Sequence, residues 1–187
     1  MPSIEIVAAL IGLLCVLLGA VRSIWPYPTG IVSVALFGWV FFAARLYSDA
    51  LLQAFFVAAN LYGWVNWQRS RAAAGEVVVE TMSGAARLRW AAGCVAATIG
   101  WGWLMHARTD ASYPFADAGI AIASVAAQVL MARRRWENWV LWIGVDLASL
   151  PLYLAKELWI TAALYAGYLA LALWGLMRWR AARRAAA

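Results

Sequence analysis

Trp139, Trp142 and Asp146 are the residues of this sequence best suited to hold a ligand. Asn138, Trp142, Asp146 and Ser149 follow at spacings of four, four and three, so a helix stacks them on one face, with Trp139 on its border. Two indoles beside a carboxylate suit a flat, positively charged ring, held by stacking and by attraction of the cation to the π-face. Further polar stripes have similar spacing. Gln53, Asn60 and Trp64 are seven and four apart, as are Asp117, Ser124 and Gln128, while Thr161, Tyr165 and Tyr168 add hydroxyls. Amides both donate and accept, which fits ligand hydroxyls or a carboxamide. The same amides can instead join neighbouring helices, and Ser124, Ser149 and Thr161 can bond their own backbone carbonyls. The candidate substrate-binding set is Trp139, Trp142, Asn138, Asp146, Gln53, Asn60, Gln128, Tyr168 and Trp64.

Catalysis has little to work with. His106 is the single histidine, and no acid neighbours it in sequence. An intramembrane acid–base pair of Asp146 with His106 is the one enzymatic reading, and it lacks a second acid or a nucleophile–base pair. Cys15 and Cys94 lie in apolar runs and suggest neither a metal site nor a redox pair. No cofactor, metal or catalytic residue is expected.

The elements that must position these residues follow from composition. Of 187 residues, 66% are hydrophobic and only 13% charged, against roughly half and a quarter in ordinary domains. That excludes a soluble globule, a disordered chain and a disulfide scaffold. Seven apolar stretches, 4–24, 29–44, 51–67, 88–107, 115–132, 139–154 and 158–177, approach the roughly 20 residues a membrane-crossing helix needs. Seven spans place twelve basic residues on one face, including Arg22, Arg69, Arg87, Arg133 to Arg135 and Arg178, and leave three, Arg45, Arg108 and Lys156, on the other. The positive-inside rule makes the crowded face cytoplasmic, with the amino end outside and the carboxyl end inside. The arginines then read as topology signals and anchors to anionic lipid headgroups, not as a nucleic-acid surface.

One internal echo bears on topology. Tyr62-Gly63-Trp64-Val65-Asn66-Trp67 and Trp174-Gly175-Leu176-Met177-Arg178-Trp179 both read aromatic-Gly-x-x-x-Trp, and basic residues follow each. Spans three and seven share a direction if one helix separates two triplets. The expected fold is an all-α membrane protein of seven transmembrane helices in a 3+1+3 parallel-repeat arrangement. Residues 1–67 form the first repeat, 68–87 a cytoplasmic linker, 88–108 the linker helix, 109–179 the second repeat and 180–187 a basic tail. Within the linker, 76–80 could pair briefly as a strand.

The run Glu137-Asn138-Trp139-Val140-Leu141-Trp142 through Asp146, followed by Leu-Tyr at 152–153 and Thr161-Ala162-Ala163-Leu164-Tyr165, resembles the PnuC family of nicotinamide riboside transporters. Trp25-Pro26, Gly30, Tyr47-Ser48-Asp49 and Asn60-Leu61-Tyr62-Gly63-Trp64 with Trp67 agree with the family's order and spacing. The resemblance implies a fold like that of SWEET sugar transporters and an inner-membrane location. It implies uptake of nicotinamide riboside by facilitated diffusion, with a cytosolic kinase trapping the product. Trp139 and Trp142, with Asn138 beside them, match the family's binding motif. Thiamine and riboflavin are the alternative substrates; thiamine is also a ring cation, whereas riboflavin is neutral and larger. The expected partners are the vitamin, membrane lipids and, functionally, that kinase; homo-oligomerisation is left open.

Overall fold

Long runs of Ala, Leu and aromatic residues, stopped by proline, glycine and charge, form helices throughout. The computed structural model describes residues 2–43, 47–109, 113–155, 157 and 159–185. Among these are seven helices: α1 (Pro2–Ala20), α2 (Pro26–Ala43), α3 (Tyr47–Ala74), α4 (Gly84–Arg108), α5 (Pro114–Ala132), α6 (Asn138–Ala155) and α7 (Trp159–Ala185). The described residues contain no strand, and the segment 76–80 contributes only an isolated parallel bridge from Glu80 to Arg135. Arg45 and Lys156, placed on the sparsely charged face by the sequence, lie outside the described residues.

Three helices outrun the apolar stretches that predict them. α3 continues to Ala74, α4 starts at Gly84 and α7 runs to Ala185, because Gln, Arg and Ala propagate a helix as well as Leu does. Gly75 stops α3 with a left-handed φ of 77° and an N–H bonded to the Arg71 carbonyl at 2.9 Å. Ser83 starts α4 by accepting a hydrogen bond from the Ala86 N–H. The loop expected over 68–87 is therefore confined to 75–83.

α1 packs on α2 and α7, α2 on α3, α3 on α5, α5 on α6, and α6 on α7; among the described helices α4 touches α5 alone. The outer surface is apolar: Leu36, Trp39, Leu88, Val95, Ile99, Trp103 and Trp159 are all well exposed. Water-soluble monomers rarely present such a belt. Helices α5 and α6 are each long and apolar enough to cross a bilayer.

α1 and α5 end identically. Ser23 N–H reaches the Leu18 carbonyl and Arg22 N–H reaches Gly19, as Arg135 reaches Leu130 and Arg134 reaches Met131. Arg22 and Arg134 take the left-handed position, φ 60° and 58°, which glycine normally fills and which costs another residue about 1 kcal/mol. Their side chains explain the choice. Arg22 donates to the Val77 carbonyl and pairs with Glu76 at 2.9 Å, while Arg134 pairs with Glu80 and donates to the Asn66 carbonyl. Arg135 also pairs with Glu80, and Glu137 takes Arg87 and the Met82 N–H. The linker is thereby tied to both halves of the bundle, a use of these arginines that the charge count does not reveal.

Candidate functional site

A cavity of about 360 Å³ lies between α1, α2, α3, α5, α6 and α7. Gln53, Asn60, Gln128, Trp139, Trp142, Asp146 and Tyr168 all line it, so seven of the nine residues chosen from helical faces converge. Among the described residues Asp146 is the only charged one in the wall. It is 4% exposed and has no hydrogen bond or ion pair among the described residues. Burying an unpaired carboxylate is expensive, and a cation entering the cavity would relieve that cost. Tyr165 and Tyr168 stand close enough to interact with Asp146 electrostatically.

The backbone makes room for these side chains at specific glycines. A Cβ on Gly12 would lie 2.1 Å from the Tyr168 hydroxyl, and one on Gly175 would lie 2.7 Å from the Trp139 ring. Asn60 packs over Gly30 and its Oδ1 accepts from Gln128 Nε2 at 3.1 Å. Both amides therefore keep polar groups over for a ligand while holding α3 to α5.

Two chosen residues lie outside the wall. Asn138 is fully buried and donates to the Arg135 carbonyl at 2.6 Å. It shares the Trp142–Asp146 face, but its side chain is turned to the α5–α6 connection rather than into the cavity wall. Trp64 packs beside the buried cluster below the cavity, its Nε1 without a partner among the described residues. Conversely, α1 and α2 supply a wall that the polar stripes missed, with Cys15, Tyr27, Gly30 and Ser33. Those helices carry few amides or charges, and the traces available were Gly12 and the Pro26-Tyr27-Pro28-Thr29-Gly30 start of α2. Ser124 and Tyr165, present in the polar stripes but left out of the candidate set, also line the wall, as does Phe56.

Below the cavity, at the arginine-rich end, four buried rings form a floor. Tyr27 meets Trp67 edge-on at 5.1 Å, Trp67 meets Trp179 at 5.6 Å, and Trp179 meets Trp139 edge-on at 5.6 Å. The two ends of this chain are built alike. Tyr27 fits against Gly63 as Trp139 fits against Gly175. Trp67 Nε1 donates to the Met131 carbonyl at the end of α5, and Trp179 Nε1 to the Gly19 carbonyl at the end of α1. Both members of the aromatic-Gly-x-x-x-Trp echo thus do the same physical work across the α1–α7 and α3–α5 contacts. His106 is exposed with its ring against Phe115, and it is absent from the cavity wall.

Residues 3–181 match the family model described as nicotinamide mononucleotide transporter. The chain belongs to that family. It is similar to the nicotinamide riboside transporter PnuC of Escherichia coli (strain K12), 29% identical over 201 residues that cover 94% of this chain and 84% of the relative. The riboflavin/roseoflavin transporter RibM of Streptomyces davaonensis is 34% identical over 179 residues, covering 94% and 83%. The crystal structure of the vitamin B3 transporter PnuC superposes with a TM-score of 0.76 at 25% identity, covering 97% of this chain and 82% of that one. Family and structural neighbour are transporters rather than enzymes.

Proposed function

We propose that the protein carries nicotinamide riboside across the inner cell membrane by facilitated diffusion, with phosphorylation by a cytosolic kinase removing the free vitamin. The observation that carries this reading is the lone, unpaired carboxylate of Asp146 in a cavity walled by Trp139, Trp142 and tyrosines, with no cationic side chain in the wall. A pyridinium ring stacks on indole and neutralises the carboxylate, while Asn60 and Gln128 offer partners for ribose hydroxyls and the carboxamide. A phosphorylated vitamin would bring negative charge to Asp146 with no arginine or lysine in the wall to meet it. The cavity volume is at the small end for ligand sites, which suits a compact vitamin.

The seven helices are read as membrane spans because of their exposed apolar belt, with the arginine-rich end cytoplasmic, the amino end outside and the carboxyl end inside. The matched contacts of Trp67 and Trp179 support a SWEET-like 3+1+3 architecture. Its parts are a first repeat over 1–67 with α3 continuing to Ala74, a linker over 75–83, the linker helix α4, a second repeat over 109–179 and the basic end 180–187. Release toward the cytoplasm then requires the ring floor to part, breaking the two indole hydrogen bonds.

The identity to RibM favours riboflavin as a second reading. Proteoliposomes holding the purified protein should equilibrate labelled nicotinamide riboside without sodium or a proton gradient, and riboflavin and thiamine should compete weakly. Saturable flux of riboflavin alone would replace this reading with the second one, and flux that stops without an ion gradient would exclude facilitated diffusion.

A further inference from the structure

A second cavity, of about 460 Å³, runs between α4 and α5 and shares no lining residue with the central one. Its walls are apolar or small, including Gly93, Ala97, Ile122 and Ala126, and one charged residue, Arg89, stands at its end beside Trp90. From Arg89 to Ala97 the groove follows α4 for about 12 Å, at 1.5 Å per residue. Because α4 packs on α5 alone among the described helices, the groove opens on the outer surface of the bundle.

Arg89, like Arg69, Arg71 and Arg133 at the same end, has no ion pair or side-chain hydrogen bond among the described residues, and of these it is the one that lines the groove. It lies at the arginine-rich end, where the membrane-spanning reading places lipid headgroups, and Trp90 is a residue type that settles at that depth. An apolar trough ending in an unpaired guanidinium complements an acyl chain ending in a phosphate. We propose that this groove is a binding site for one anionic phospholipid, whose headgroup meets Arg89 and whose chain lies along Gly93 and Ala97. The proposal rests on the membrane-spanning reading above. It goes beyond general anchoring of the basic face because it specifies one site, one charge and one groove.

The full-length protein in neutral detergent, titrated with phosphatidylglycerol or phosphatidylcholine and weighed by native mass spectrometry, tests this. We expect one phosphatidylglycerol retained per chain, bound at least tenfold more tightly than phosphatidylcholine. Arg89→Gln should bring the first lipid down to the level of the second. Gly93→Leu should block both, because a side chain at Gly93 enters open space rather than a packed neighbour. Equal retention of the two lipids, or retention unchanged in both variants, overturns the site. So does oxidative cross-linking of Cys94, which lines the groove, between two copies, since that puts a second chain where the lipid should lie. Nicotinamide riboside binding is measured on the same samples. Vitamin binding without selective lipid retention defeats only the lipid site, while lipid retention without vitamin binding defeats only the transport reading.

Discussion

On the proposed reading Asp146 sets what charge the cavity accepts, while the glycines give the rings their places. Trp142→Ala removes a stacking surface in the wall, a contribution of about 0.5–2 kcal/mol for a cation on an indole, so titration calorimetry should show affinity for nicotinamide riboside falling about twofold to thirtyfold. Gly175→Ala places a Cβ 2.7 Å from the Trp139 ring, and overpacking of this kind costs about 1–3 kcal/mol. It should lower the thermal midpoint and weaken vitamin binding together; a variant as stable and as tight as wild type would show that the ring moves freely. At this scale the sequence was informative wherever polar or aromatic residues repeated at helical spacing in an apolar run, as with Gln53, Asn60, Gln128 and Asp146. It was uninformative where the wall is glycine, cysteine or backbone, because such residues have no pattern distinct from packing. Asn138 shows the opposite limit, since spacing fixes a helical face but not whether a local backbone carbonyl, here that of Arg135, claims the side chain.

Among the elements, the paired ends of α1 and α5 and the paired indoles of α3 and α7 carry the mechanical argument. Trp67→Phe and Trp179→Phe each keep a ring and delete one N–H bond to a helix-end carbonyl, leaving Met131 or Gly19 with less satisfaction, at about 1 kcal/mol each. Both should speed labelling of Cys15, a wall residue of the cavity, by a reagent added at the arginine-rich face, and by similar factors. A response from only one of them would show that the two halves do not share the load. The echo of aromatic-Gly-x-x-x-Trp was legible in the sequence as a repeat, and the structure gives it a cause: each glycine receives a ring, and each tryptophan crosses to the other half. Helix lengths were less legible, because apolarity marks where a helix is greasy and says nothing about where its polar continuation ends. The clasp of Arg22 and Arg134 on the linker could not be read from charge alone, since left-handed arginines at helix ends are a matter of backbone geometry.

For the whole molecule, the claim is that a bundle with an apolar exterior encloses one anionic, aromatic cavity and exchanges it between two faces. The all-helical fold was legible in the apolar runs, and 66% hydrophobic content leaves few polar residues to form a soluble surface. The family resemblance reached the function, and the cavity supplied a physical reason for it. The most direct test compares two ligands that differ chiefly in ring charge, nicotinamide riboside and its neutral dihydro form, by calorimetry on wild type and Asp146→Asn. The account predicts that wild type binds the cationic riboside at least tenfold more tightly than the neutral form and that Asp146→Asn removes most of that preference. Equal affinity of wild type for both forms, or a preference untouched by the substitution, would contradict it.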